Sequence, residues 1–107
     1  MRVLLVDDEP EQLELRRRIV EQAGHTVETA SSAEEARRQT ADVVVMDLHL
    51  PGLAEGLELI REFAGRARIV VLTGLAGDLE GRPERELVAA VLEKPVRSAA
   101  LLAALGQ

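Results

Sequence analysis

Short apolar runs rich in valine, leucine and isoleucine recur along the chain, and each of them is a candidate β-strand. The clearest runs cover residues 3–6, 43–46, 69–72 and 91–92, and a weaker alternating stretch covers residues 25–30. The first three clear runs are continuous rather than alternating, which is typical of strands that are covered on both faces. The pattern therefore predicts a parallel sheet between two layers of helix.

The segments between these runs carry signals for the beginning and the end of helices. Pro10 suits the first turn of a helix and Gly24 suits the position after its end, while Ser31 or Ser32 begins a capping-box pattern. The predicted helices cover residues 10–23, 31 or 32 to about 38, 56–64, a brief 83–90 and the stretch from 98 onwards. Three glycines and a proline predict a loop over residues 74–85, ahead of the fourth helix.

One face of the first predicted helix is apolar except for a single arginine. Leu15, Ile19, Val20 and Ala23 share this face, and we expect it to pack against the sheet. Arg16 interrupts it. Its guanidinium is expected either to extend to solvent or to pair with a carboxylate.

Alternating strands and helices predict a doubly wound α/β fold, in which ligands bind at the carboxyl ends of the strands where the winding reverses. Polar residues stand where the predicted strands end, namely Asp7, Asp8, Asp47, Thr73 and Lys94. Core packing does not explain polar residues at these places. The five residues are therefore the candidate site.

Composition narrows the classes of function. The length predicts one domain over residues 1–107, and 13 basic against 19 acidic residues give a formal net charge of −6, which argues against binding of nucleic acid. Cysteine is absent, so disulfides and thiolate metal sites are excluded, in agreement with a reducing compartment. No apolar run is long enough to span a membrane. We therefore expect a cytoplasmic protein without membrane contact.

Carboxylates gathered at one edge of a sheet repel one another, and a bound divalent cation relieves the repulsion. Mg²⁺ prefers oxygen ligands, and Asp8 and Asp47 would ligate it directly while Asp7 would do so through water. Lys94 and the Thr73 hydroxyl would donate to phosphoryl oxygens. Asp47 is then the candidate nucleophile, because aspartate carboxylates form acyl phosphates.

Four motifs in order resemble the receiver domains of response regulators, the CheY-like family. They are DDEP at 7–10, VVVMDLHLPG at 43–52, VVLTG at 70–74 and LEKP at 92–95, and together they cover essentially the whole chain. The resemblance implies a flavodoxin-like fold, in which a five-stranded parallel sheet of order 2-1-3-4-5 carries helices on both faces.

The same resemblance assigns roles to the site. Asp47 would accept a phosphoryl group from the phosphohistidine of a kinase, and the added charge would switch the conformation of the domain. Asp7, Asp8, Asp47 and the main-chain carbonyl of His49 would hold Mg²⁺. Thr73 and Lys94 would contact the phosphoryl group, and the peptide bond between Lys94 and Pro95 would be cis.

The family implies a signalling module rather than an enzyme with a separate substrate, since a receiver catalyses only its own phosphorylation and dephosphorylation. The expected partners are a sensor histidine kinase or a phosphotransfer protein. Receivers often pair through their fourth and fifth helices, so a monomer or a weak homodimer is expected.

Departures from the family pattern keep a second hypothesis open. Val91 stands where the family usually has a tyrosine or phenylalanine, and Gly77, Gly81 and Pro83 break up the fourth helix. These features favour a pseudo-receiver that acts as a binding or dimerisation module without phosphorylation. The intact set of site residues counts against it.

A third hypothesis is a Mg²⁺-dependent phosphatase or phosphotransferase with an aspartyl nucleophile. Enzymes of the haloacid dehalogenase type carry a second aspartate two residues after the nucleophile. His49 stands at that position, and such enzymes need a longer chain, so this is the least favoured hypothesis.

Overall fold

The computed structural model describes residues 1–106 and is built around one sheet of five strands. The strands are β1 (Arg2–Val6), β2 (Thr26–Ala30), β3 (Val43–Asp47), β4 (Arg68–Thr73) and β5 (Ala90–Glu93). All neighbouring strands are parallel, and their order across the sheet is β2-β1-β3-β4-β5. The doubly wound fold and the strand order 2-1-3-4-5 are therefore confirmed.

Helices cover both faces of this sheet. They are α1 (Pro10–Gln22), α2 (Ala33–Arg37), α3 (Leu53–Phe63) and α4 (Ser98–Ala104), with 3₁₀ helices at Ala76–Asp78 and Pro83–Leu87. α1 and α4 contribute to the apolar core on one face, and α2 and α3 contribute to the core on the other. Within residues 1–106, none of the helices is long and apolar enough to cross a membrane.

Burial on both faces explains the continuous apolar runs in the sequence. Along β1, Leu4 and Val6 belong to the core under α2 and α3, whereas Val3 and Leu5 belong to the core under α1 and α4. Successive side chains of a strand point to opposite faces, so both sets must be apolar when both faces are covered.

The predicted packing face of α1 is wrong in part. Leu15 is 54% exposed, while Leu13, Arg16 and Val20 are the buried residues of the helix. In this helix Arg16 is buried against the rest of the protein, and Leu15 is exposed to solvent. Arg16 does pair with a carboxylate, one of the two outcomes that the sequence left open.

The second and third helices begin close to their sequence signals. Ser32 is the N-cap of α2, and its hydroxyl accepts a hydrogen bond from the main-chain N–H of Glu35 at 3.1 Å. α3 begins at Leu53, three residues earlier than predicted, and Gly56 therefore lies inside it. A Cβ on Gly56 would lie 1.6 Å from the carbonyl oxygen of Leu48, so the helix packs directly on the backbone of the preceding loop.

The brief fourth helix predicted over residues 83–90 is also wrong. Pro83–Leu87 forms a single 3₁₀ helix, and Ala90 already belongs to β5. Gly81 has a φ of +73°, a conformation that interrupts a helix and that side-chain-bearing residues rarely adopt. Two short turns therefore connect β4 to β5.

An ion pair between a half-exposed arginine and a buried glutamate attaches the second of these turns to α3. Glu84 is largely buried, and its carboxylate accepts a hydrogen bond from Arg61 of α3. The main-chain N–H of Glu84 and the guanidinium of Arg61 hold the pKa of Glu84 below its ordinary value of 4.5. The carboxylate is thus ionised in the folded protein at pH values where it is protonated in the unfolded chain.

Replacing Glu84 with glutamine is expected to lower the melting temperature at neutral pH. A lowered folded-state pKa stabilises the protein at pH values above 4.5, and this contribution is lost as the pH falls through the folded-state pKa. The difference between the variant and the parent should therefore shrink in acid, as measured by circular dichroism melts across that range. Glu86→Gln changes an exposed glutamate of the same turn and serves as the matched control. Equal pH profiles for the two variants would contradict the assignment.

Candidate functional site

The carboxyl ends of four strands bring polar residues to one edge of the sheet. Asp7 follows β1, Asp47 ends β3, Thr73 ends β4 and Lys94 follows β5. In the parallel register Asp47 is the partner of Leu72, so Asp47 and Thr73 end neighbouring strands at nearly the same level. The five residues singled out from the sequence thus meet at one edge, with Asp8 beside Asp7.

Three carboxylates form a cluster there. One oxygen from each of Asp7, Asp8 and Asp47 lies within 4.8 Å of the others. Asp7 is only 1% exposed, Asp47 is half-buried and Asp8 is exposed, so the cluster reaches from the interior to solvent. Such a group of like charges needs a compensating cation.

Two side-chain cations compensate part of this charge. The Lys94 ammonium donates to Oδ2 of Asp47 at 2.7 Å, and the Arg16 guanidinium donates to Oδ2 of Asp7 at 2.5 Å. Lys94 is the only lysine in the chain, where every other basic side chain apart from histidine is an arginine. A lysine ammonium is a compact point charge on a flexible stem, whereas an arginine guanidinium is a rigid planar group.

One local turn recurs at three of the strand ends and fixes the side chains. Oδ1 of Asp7 accepts from the N–H of Glu9 at 2.9 Å, and Oδ1 of Asp47 accepts from the N–H of His49 at 3.1 Å. Oγ1 of Thr73 accepts from the N–H of Leu75 at 3.0 Å. In each case the donor lies two residues further on, the geometry of Asx and Ser/Thr turns. These turns leave Oδ2 of both aspartates directed to the cations.

The donor set fits a hard divalent ion. The cluster offers only carboxylate oxygens, which Mg²⁺ prefers, and Asp8 is exposed to solvent. The imidazole of His49 is not part of the cluster, since its Nε2 lies 3.2 Å from Oδ2 of Asp78. The expected metal ligand at His49 is its main-chain carbonyl, and that role stays a prediction.

The contact between His49 and Asp78 was not anticipated from the sequence. It joins the loop after β3 to the first 3₁₀ helix, Ala76–Asp78. The two residues are 29 positions apart, and no local pattern signals such a pair. The partner of Arg16 was likewise open, although an arginine on an apolar helix face is a signal that a buried acid lies opposite.

A cis peptide bond was predicted directly after Lys94. The Lys94–Pro95 peptide bond is cis, as predicted, and the Leu50–Pro51 bond is cis as well.

Val91, at the position where the family usually has an aromatic residue, is half-buried and packs against the core under α2 and α3. No aromatic side chain takes its place in the described residues, because Phe63, the one aromatic residue in the chain, is buried in α3.

A groove borders the site between α1 and the segment after β5. It has a volume of about 550 Å³, and both site cations contribute to its wall. Its other lining residues are both apolar and polar, and Leu15, Ile19 and Val96 are among the apolar ones. The exposed Leu15 therefore faces this groove rather than the core.

Comparison with known proteins identifies the family. The model of the response regulator receiver domain family matches residues 3–106. The sensor histidine kinase AruS of Pseudomonas aeruginosa is 34% identical over 100% of the chain, but the chain spans only 12% of the length of that protein.

Solved structures show the same fold. A response regulator receiver domain from Clostridium thermocellum is 30% identical, with a TM-score of 0.80 over 97% of this chain and 90% of that one. The response regulator TrrA of Thermotoga maritima, solved in complex with Mg²⁺ and BeF, is 28% identical, with a TM-score of 0.81 over 95% of this chain and 93% of that one. Since the family model covers nearly the whole length, the chain belongs to the response regulator receiver domain family, the receiver modules of two-component signalling systems.

Proposed function

We propose that the chain accepts a phosphoryl group on Asp47 from a phosphohistidine and passes on the signal through the resulting change in shape. The observation that carries this proposal is the contact of Lys94 with Asp47 at 2.7 Å beside a second and a third carboxylate. Phosphoryl transfer to aspartate requires a carboxylate that acts as the nucleophile, a side-chain cation such as the Lys94 ammonium, and a set of oxygen ligands that can hold a metal ion. Core packing accounts for none of them.

The residues that would hold Mg²⁺ are Asp7, Asp8, Asp47 and the main-chain carbonyl of His49. When bound, the ion would neutralise charge on the phosphoryl oxygens. TrrA was solved with Mg²⁺ and BeF, and the acidic cluster here has the composition such an ion needs. We extend that ligand to this chain as part of the proposal.

In the transfer step, a carboxylate oxygen of Asp47 attacks the phosphorus of the phosphohistidine. A P–O bond forms as the P–N bond breaks, and the leaving imidazole takes a proton from the solvent or its own protein. The phosphoryl group brings negative charge into a site that already holds three carboxylates. Lys94 can follow that charge from Oδ2 of Asp47 to a phosphoryl oxygen, which lowers the cost of the product.

Thr73 is placed to respond to the new group. Its side chain is buried, and Oγ1 accepts from the N–H of Leu75, so the hydroxyl proton stays available for donation. A hydrogen bond from Thr73 to a phosphoryl oxygen would draw the end of β4 toward Asp47. The 3₁₀ turns that follow β4 would move with it, and this displacement is the proposed switch.

The proposed donor is a sensor histidine kinase or a phosphotransfer protein. AruS, which the chain resembles over 12% of that protein's length, is named a sensor histidine kinase. We propose no catalytic activity beyond phosphorylation and dephosphorylation of Asp47. A weak homodimer is compatible with this role.

The first test is intact-mass spectrometry after incubation with acetyl phosphate, a small phosphoryl donor that needs no partner protein. We expect a gain of one phosphoryl group with Mg²⁺ and no gain when the metal is chelated, because three clustered carboxylates repel an anionic donor. Circular dichroism should establish that the chain is folded under both conditions. A folded chain that gains no mass with Mg²⁺ would contradict the proposal.

A phosphorylation-independent binding module remains the alternative function. Val91 at the position of the usual aromatic residue and the 3₁₀ turns in place of a fourth helix favour it. A negative result in the mass experiment would support this alternative. A positive result would leave Val91 as a change in how the signal is passed on.

A further inference from the structure

Arg16 is a buried cation that contacts Asp7, the most buried carboxylate of the acidic cluster. Its side chain is 11% exposed, and it lies on the face of α1 that also carries Leu13 and Val20. Among residues 1–106, Asp7 is its only ion-pair partner, at 2.5 Å. The pair therefore links the first helix to the end of β1.

The geometry separates two contributions to the position of Asp7. The main-chain N–H of Glu9 donates to Oδ1 and orients the carboxylate, while Arg16 donates to Oδ2 and neutralises it. Removing the guanidinium would thus remove a positive charge without releasing the carboxylate. Two positive side chains, Arg16 and Lys94, contact the three carboxylates of the cluster. The sum of these five charges is therefore −1.

We propose that Arg16 is a positioning residue that weakens the binding of Mg²⁺ to the acidic cluster and stabilises the metal-free fold. The inference rests on the proposed function, since it concerns the metal site of that same reaction. A fixed positive charge a few ångströms from a divalent cation raises the cost of binding, and burial increases this cost because water screens it less. The concentration of Mg²⁺ at which the domain can accept a phosphoryl group is therefore set in part by a side chain of α1.

Two opposing effects decide the sign of the expected change. Loss of Arg16 removes the repulsion of the metal, which favours binding, and it loosens Asp7, which disfavours binding. The hydrogen bond from Glu9 keeps Asp7 oriented, so the electrostatic effect should dominate.

The test is calorimetric titration of the full chain with MgCl₂, since the chain has no tryptophan or tyrosine whose fluorescence would report binding. Arg16→Leu and Arg16→Gln should bind Mg²⁺ roughly tenfold to a hundredfold more tightly than the parent. Their melting temperatures should be lower without Mg²⁺ and should rise more when it is added. Arg18→Leu makes the same change of charge at a side chain that is 70% exposed, and its affinity should equal that of the parent.

The outcomes separate this inference from the proposed function. Equal or weaker Mg²⁺ binding by both Arg16 variants, while the parent binds Mg²⁺ and gains a phosphoryl group from acetyl phosphate, would overturn the inference alone. Failure of the parent and of both variants to bind Mg²⁺ would overturn it together with the proposed metal site. If Arg16→Leu does not fold, Arg16→Gln decides the question, because its neutral amide can still donate a hydrogen bond to Asp7.

Discussion

Replacing Asp47 with asparagine is expected to abolish the mass gain with acetyl phosphate while the chain stays folded. An amide is a poor nucleophile and cannot form an acyl phosphate, so no residual transfer is expected at this position. The amide oxygen can still accept the N–H of His49, which preserves the turn after β3. The measurement is intact-mass spectrometry of parent and variant under identical conditions with Mg²⁺.

The control for this variant is Asp42→Asn. Asp42 is exposed, accepts a hydrogen bond from the N–H of Arg2 at 2.8 Å and lies at the opposite end of β3, so the same chemical change there should leave the mass gain intact. Alkali provides a further check, since it cleaves an acyl phosphate but not a phosphohistidine. A gain in the Asp47 variant that survives alkali would place the phosphoryl group on a histidine or a hydroxyl side chain and contradict the proposed acceptor.

Replacing Gly56 with alanine should destabilise the fold by several kcal/mol. Alanine is the better helix former, and this preference favours the variant by about 1 kcal/mol. The added Cβ, however, would lie 1.6 Å from the carbonyl oxygen and 2.7 Å from the carbonyl carbon of Leu48, both of which are backbone atoms that cannot rotate away. α3 must shift away from the loop, at a cost of roughly 3–5 kcal/mol against a total stability of about 5–15 kcal/mol.

Chemical denaturation of the variant measures this change. Gly77→Ala is the matched control, because a Cβ on Gly77 would meet no heavy atom within 4 Å. The free energy of unfolding of the control should lie within about 1 kcal/mol of that of the parent. Leu48 directly follows Asp47, so Gly56→Ala should also slow phosphorylation in any fraction that folds. Equal denaturation midpoints for Gly56→Ala and the parent would show that α3 can move at little cost.

The central strands and the site edge were predictable because both depend on local patterns. A strand buried on both faces must be apolar at every position, so its run ends sharply at the first polar residue. In β3 that residue is Asp47, and after β1 it is Asp7. Parallel pairing then carries these ends to one edge without any further information from the sequence.

The connection between β4 and β5 was harder to predict. Pro83 and the glutamates that follow it suit the first turn of an α-helix, yet Pro83–Leu87 ends as one 3₁₀ helix. Gly81, which precedes this helix, has a positive φ that a continuous helix cannot include. The main-chain N–H of Ala89 already donates a hydrogen bond to the carbonyl oxygen of Ile69 in β4 at 2.8 Å. Between those two constraints the chain forms one 3₁₀ helix and no α-helix.

The orientation of α1 was also not predictable from the hydrophobic periodicity of its own residues. Periodicity treats Leu15 as a better core residue than Arg16, but the buried Asp7 at the end of β1 needs a cation and Arg16 provides it. The free energy of leaving a buried carboxylate unpaired outweighs the gain from burying one more leucine.

The sequence by itself determined the sheet, its two-sided core and the residues that meet at its carboxyl edge, since these follow from hydrophobic pattern and from motifs of a few residues. Only the tertiary structure decided that Lys94 pairs with Asp47 and that Arg16 pairs with Asp7. The partners in these pairs are 47 and 9 positions apart. Electrostatic pairing depends on distance in space, and that distance exists only once the helices have packed on the sheet.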